Sequence, residues 1–434
     1  MYGKHALMIL AQEVMGIEFL QTHFVNHEIE MKNVFKRYLL PALLLIGSAS
    51  PGSADPVEAF LDEPFAALEE AVPGKFNLNS RIRYEEFDTA TVEDQGVSHR
   101  IRYGYTTPDF SGFSAMAEGE TIYAWTDPDQ QHFLDDAGDG TDLNQLWVRY
   151  ADPDYGSAKL GRQIYTLDDH RFIGHVGWRQ NIQTFDAVTG AFTGIEKLTV
   201  NGFYLDAVNR VNADYVATDS YGVNANYAFG KGLSLTGFYY TIDDSDVGVF
   251  DSDTAGVRAT GTLEAGDWEI AYALSGASQD VEATDRDATY YAANASTTVP
   301  DSTFTFGAGA EVFEEDFRTP FATVHKFNGW ADKFAARSLG LGGGLSEGLK
   351  DYYVEAGYTI PVGNGVTTKV VYHWFSPKSG GDGGGEELDL LAAYKINRYL
   401  SVVSKYGDYE ADGDATGYFA GDKRMFTFEL NFVY

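Results

Sequence analysis

Residues 425–434 read MFTFELNFVY, and their reading decides the fold. Phe426, Phe428, Leu430, Phe432 and Tyr434 share one parity, while Thr427, Glu429 and Asn431 share the other. Successive side chains of a strand point to opposite faces, so this segment has one apolar side and one polar side. An ordinary half-buried antiparallel strand would alternate too. A terminal strand that closes on an aromatic fits a transmembrane strand with lipid outside and water inside. Phe432 and Tyr434 are then the expected contacts of the barrel-assembly machinery.

The same split recurs upstream. Tyr221, Val223, Ala225, Tyr227 and Phe229 alternate with Gly222, Asn224 and Asn226. Trp268, Ile270, Tyr272 and Leu274, then Phe304, Phe306, Ala308, Ala310 and Val312, then Leu388, Leu390, Ala392 and Tyr394 repeat it against polar or small partners. Period two predicts eighteen strands, at about 75–87, 98–106, 112–124, 142–150, 157–163, 183–192, 197–206, 219–229, 232–242, 254–263, 266–275, 287–296, 301–313, 350–360, 365–375, 386–395, 399–409 and 424–434. The sixth is the weakest, since 183–192 alternates poorly. Long connections (88–97, 125–141, 164–182, 207–218, 243–253, 276–286, 314–349, 376–385 and 410–423) are expected to alternate strictly with short ones. The fold class is therefore all-β: a transmembrane, antiparallel, up-and-down β-barrel of about eighteen strands, with long external loops and short periplasmic turns. Trp268 and Trp374 should stand in opposite aromatic girdles.

Composition agrees. The chain has no cysteine, 28 tyrosines, 29 phenylalanines and a formal charge of −33. Absent thiols exclude disulfides and Cys-ligated metals. Helical membrane spans would need runs of about 20 apolar residues, and a mean hydropathy of −0.25 argues against a bundle of them. The acidity argues against nucleic-acid partners.

One segment has the pattern of a secretory signal. Lys32, Lys36 and Arg37 precede the apolar run YLLPALLLI at 38–46, and Gly52-Ser53-Ala54 offers a cleavage site. The expected organisation is a mis-assigned N-terminal extension at 1–30, a signal peptide at 31–54 cleaved near Ala54, a short periplasmic segment at 55–74 and the barrel at 75–434. The location is then the outer membrane of a Gram-negative bacterium, among lipid and lipopolysaccharide. Loops 125–141 and 243–253 are rich in aspartate and read as solvated tips. Asp251-Ser252-Asp253 and Asp412-Gly413-Asp414 lack the Glu that completes an EF-hand loop, so no metal is assigned.

Arginines gather on one face of the early strands. Arg81 and Arg83, Arg100 and Arg102, and Arg149 oppose apolar neighbours, and on a lipid face each would cost about 2–4 kcal/mol near the midplane. They should face the lumen, either as an electropositive stripe that attracts anions or paired with Glu85, Glu118 and Glu120. Arg162 shares parity with Leu160 and breaks the pattern. Two connections differ from the acidic loops: 161–187, GRQIYTLDDHRFIGHVGWRQNIQTFDA, and 320–334, PFATVHKFNGWADKF. Their aromatics, amides and mixed charges suit segments folded into the lumen. Asp168, Asp169, His170, Arg171 and Arg179, with His325 and Lys326, join the wall arginines as candidate constriction residues.

At Gly161-Arg162-Gln163, at 169–186 and at 325–334 the chain resembles the alginate-export family of outer-membrane barrels, a porin-like group. That resemblance implies a channel and raises alginate or polyuronate as cargo. The exporter of that family guards a strongly basic pore with a long periplasmic turn. Here the matching turn, Ile396–Arg398, is short. The expected function is thus a porin for passive diffusion of small hydrophilic solutes, favouring anions or acidic sugars, with polyuronate transport second. A rim hydrolase is a third reading, built on His170 with Asp168 and Asp169 or on His325 with Asp332. No nucleophile motif accompanies either histidine. Neither catalysis nor a cofactor is expected, and the oligomeric state is open.

Overall fold

The computed structural model describes residues 62, 66–68, 70–125, 140–243, 251–334, 346–380 and 383–434. The expectations for the N-terminal extension, the signal segment and most of the acidic tips at 125–141 and 243–253 fall outside these residues.

The strands are β1 (Lys75–Thr89), β2 (Glu93–Thr106), β3 (Phe113–Ala124), β4 (Gly140–Asp152), β5 (Gly156–Gln163) and β6 (Thr184–Ile195). They continue with β7 (Leu198–Asn209), β8 (Tyr215–Gly230), β9 (Leu233–Ile242), β10 (Ser252–Ala265), β11 (Trp268–Val281) and β12 (Arg286–Thr298). The last are β13 (Thr305–Phe313), β14 (Leu349–Ile360), β15 (Val366–Ser376), β16 (Gly385–Lys395), β17 (Leu400–Ala411) and β18 (Lys423–Val433). Every strand pairs antiparallel with its sequence neighbours, and β1 pairs with both β2 and β18. Asn79 faces Val433, and the Tyr434 N–H donates to the Leu78 carbonyl at 2.8 Å. The sheet is a closed eighteen-stranded barrel. Closure removes every free strand edge, which a membrane requires.

The alternation lands as its parity demands. Leu160, Val257, Tyr221, Val223 and Leu274 are exposed on the outer face. Thr427 and Glu429 of β18 are buried on the inner one. Trp268 opens β11 after a tight turn and Trp374 lies near the opposite end of its strand; both are exposed.

Two details differ from the sequence reading. Strict alternation of long and short connections does not hold, because β1–β2, β7–β8 and β11–β12 are joined by tight turns at 90–92, 210–214 and 282–285. Polar residues there keep pairing as strand, since a ladder needs matched backbone groups rather than apolar side chains. Thr305 starts β13, and residues 301–304 belong to the preceding turn.

The sixth strand alternates poorly for a physical reason. Its inner residues Phe185 and Ala187 are buried against an apolar cluster inside the barrel, while Val188 and Phe192 are exposed outside. A bulge between Asp186 and Ala187 disturbs the parity further. The inner cluster also holds Ile173, Leu205, Val208, Tyr240, Phe317, Phe321 and Phe334. Part of the interior is therefore packed apolar core, not water.

Candidate functional site

Two connections supply that core. The first, residues 164–183, joins β5 to β6; the second begins at residue 314, after β13. They bind each other through a parallel bridge between Ile173 and Phe321. The Gly174 N–H donates to Phe321 O at 2.7 Å and the Thr323 N–H to His170 O at 2.9 Å. Buried Val176 takes a left-handed backbone, φ 51°, where its N–H reaches Thr323 Oγ1 at 3.2 Å. A β-branched residue there stores about 1–3 kcal/mol of strain, which surrounding contacts must hold.

The first connection meets the arginine wall with its carbonyls. Arg81 donates to the carbonyls of Trp178 at 2.8 Å, Gly177 at 3.2 Å and Arg179 at 3.3 Å. Arg83 donates to Trp178 O, and its guanidinium lies 4.3 Å from the Trp178 ring centre. Arg102 and Arg100 converge on Gln180 O, at 3.0 and 3.5 Å. Carboxylates complete the wall. Glu429 accepts from Arg83 at 2.8 Å, Glu85 lies 3.5 Å from Arg83, and Glu120 pairs with Arg102. Glu118 instead takes Asn144 and Gln145, at 2.7 and 2.9 Å. The arginines face inward, yet Arg83 and Arg100 are fully buried.

The second connection meets the opposite wall with its amides. The Trp330 N–H donates to both oxygens of Asp389 at 3.1 Å, and the Ala331 N–H to Glu387 at 2.6 Å. His373 lies between Asp351, 2.8 Å away, and Asp389, 3.5 Å away. Close approach needs missing Cβ atoms. A Cβ on Gly407 of β17 would sit 2.4 Å from the Ala331 nitrogen, and one on Gly329, φ 84°, 2.3 Å from Glu387.

Other contacts span the interior. Arg171 reaches Glu311 of β13 at 2.7 Å. Asp168 accepts from Asn224 of β8 at 2.7 Å, and Asp169 pairs with Arg258 of β10 at 2.6 Å. Lys326 donates to Asp169 O at 2.9 Å. Arg179 bridges Glu85 and Asp332, at 3.8 and 3.4 Å. One connection touching β1, β2, β8, β10 and β13 must cross the inside of a closed barrel.

Trp178 and His325 stack, ring centres 3.8 Å apart at 5°. His325 Nδ1 lies 2.9 Å from Asp332, and its Nε2 faces the Lys405 ammonium at 3.1 Å rather than a nucleophile. Burial holds the His325 imidazole to about 3, so Nδ1–H donates to Asp332 and Nε2 accepts from Lys405. Burial works against an anionic Asp332, but His325, Arg179 and Lys423 keep its carboxyl down at about 2. Burial also lowers His170, and lowers His175 to about 4.

Arg149 departs from the expectation. It is exposed near the turn end of β4, beside Lys159, and makes no contact with either inward connection among the described residues. Arg162 forms a two-bond pair with Asp186, at 2.7 and 2.9 Å, between neighbouring strands. Its neighbour Gln163 is fully buried and bonds Ala187 O and Thr189. The motif at 161–163 thus ties β5 to β6. The sequence reading did not single out Lys405, Arg258, Glu311, Asp351, His373, Glu387, Asp389 or Glu429 as site residues. Inward parity on β16 and β18 was the available signal for Glu387, Asp389 and Glu429.

A closed eighteen-stranded barrel with segments folded inside defines an outer-membrane channel. The chain belongs to the Gram-negative porin family, whose model matches residues 74–332, more than half its length. This corrects the resemblance to the alginate-export family, which finds no support. No curated protein matches the chain. Among solved structures it is similar to Pseudomonas aeruginosa OpdK, solved with vanillate, with a TM-score of 0.66 and 15% identity over 83% of this chain and 98% of that one. It is also similar to Pseudomonas aeruginosa OpdL, TM-score 0.64 at 15% identity, covering 83% and 99%. Acinetobacter baumannii OccAB2 gives 0.66 at 14%, covering 83% and 98%. The protein is an outer-membrane porin, a channel for passive diffusion of small hydrophilic solutes.

Proposed function

We propose that the two inward connections form the constriction of this channel and that it favours small anions, organic acids among them. The observation that carries this reading is the charge balance around Trp178. Three cations, Arg81, Arg83 and Lys405, touch Trp178 directly, and among the described residues no carboxylate does. The low-dielectric surroundings focus that excess into the passage. OpdK, of like fold, was solved with vanillate, a small carboxylate, and that agrees with the reading.

Planar-bilayer recording tests it. Reversal potentials in asymmetric potassium chloride should show chloride more permeant than potassium. A cation-selective channel would remove the anion preference and leave the porin. Two further parts of the reading concern biogenesis. The inward–outward split of β18 supports recognition through Phe432 and Tyr434, and the pattern at 38–54 supports cleavage after Ala54, which N-terminal sequencing of membrane-extracted protein would check.

A further inference from the structure

Lys405 occupies an inward position of β17, opposite Leu391 of β16 and Thr427 of β18. Its ammonium stands 4.0 Å from the ring centre of Trp178 and 5.0 Å from that of Trp330. Among the described residues its one hydrogen bond goes to His325 Nε2. Among the described residues no carboxylate lies within ion-pair distance of it.

The neighbouring cations are placed differently. Arg83 and Arg100 are sealed from solvent. Arg81, Arg102, Arg171, Arg179 and Arg258 each lie against a carboxylate. Lys326 and Lys423 donate to backbone carbonyls of Asp169 and Asp332. Lys405 alone in this group is partly exposed, lies where both inward connections meet the wall, and has neither a carboxylate nor a carbonyl partner.

We propose that Lys405 is the residue that sets the channel's preference for anions, meeting a passing carboxylate or halide beside the indoles of Trp178 and Trp330. This rests on the constriction reading above. Indole faces stabilise an ammonium through their quadrupole without cancelling its charge. A neutral His325 satisfies one of its three protons, which leaves donors for a solute. The fixed charges acting on it are Glu429, Arg83, Asp332 and Asp389.

Two variants test the assignment in the full-length channel, each first shown to be a heat-modifiable barrel. Lys405→Gln should lower the chloride-to-potassium permeability ratio by about threefold, the size expected for one focused charge. Lys405→Arg should keep the wild-type ratio. An assembled Lys405→Gln channel with an unchanged ratio overturns the proposal. If Lys405→Gln does not assemble, alkaline titration decides. A lysine is largely deprotonated by about pH 11, whereas arginine holds its proton to above about 12. Wild type should therefore lose its anion preference by about pH 11 while Lys405→Arg keeps it. Loss in both would assign the preference to other groups and overturn the proposal. A wild-type channel without anion preference would instead overturn the reading beneath it, and is recognised before any variant is made.

Discussion

Two walls of the barrel hold the same kind of object, a connection folded inward, by opposite ends of the peptide group. On β1 and β2 the arginines receive the carbonyls of 177–180. On β16 the carboxylates of Glu387 and Asp389 receive the amides of Trp330 and Ala331. The arginine wall brings its own counter-charges, Glu85, Glu120 and Glu429, so it is nearly neutral. Near β16, four carboxylates, Glu311, Asp351, Glu387 and Asp389, have Arg171 and His373 as their only ion-pair partners among the described residues. The polarity of a wall thus selects which backbone atoms face it, and its neutrality decides whether charge remains for a solute.

Removing the object the walls hold should have the largest effect. Deleting 168–179 should raise single-channel conductance severalfold in an assembled barrel. Unchanged conductance would take this connection out of the constriction.

Breaking one wall comes next. Arg83→Met leaves buried Glu429 and Glu85 with the longer ion-pair contacts to Arg81 and Arg179, at 3.7 and 3.8 Å, a loss of up to about 3–5 kcal/mol. The temperature at which the barrel loses its folded gel mobility should fall clearly. The junction between the two connections should also weaken in acid. His325 stays neutral down to about pH 3 when packed, whereas a released imidazole takes up a proton below about 6.5. Stability of the junction is therefore complete above pH 6.5 and falls as pH drops toward 3, by up to about 1.4 kcal/mol per unit. Open-channel noise should rise from pH 7 to 4, and His325→Asn should flatten that rise.

The carboxylate wall should be more forgiving. Glu387→Gln keeps an oxygen for the Ala331 N–H and relieves repulsion with Asp389, so stability should change by less than about 1 kcal/mol. A loss as large as that of Arg83→Met would show that both walls depend equally on charge. Smallest of all, Arg149→Ser should leave conductance and selectivity as they are, because Arg149 is exposed and apart from both connections.

Much of this was legible in residue order. Period two marked the strands, the sixth only weakly, because in a membrane barrel each strand must satisfy lipid on one face and the interior on the other. The same parity placed Arg81, Arg83, Arg100 and Arg102 inside, since lipid penalises a guanidinium whatever its neighbours. The composition of 161–187 and 320–334 marked them as unlike the other loops, since amides, histidines and charges in such density need partners.

What the order could not supply were the partners. The sequence treats Arg83 and Arg149 alike, an arginine of the same parity. Only closure of β1 onto β18 brings Glu429 to Arg83 across 346 positions and buries both. It also left Lys405 unremarked, one lysine in a strand. That residue gained meaning when Trp178, Trp330 and His325 arrived from two distant connections. Parity is a local property, fixed by the pleat of each strand. Charge compensation and exposure depend on which strands and loops meet, and tertiary structure alone decides that.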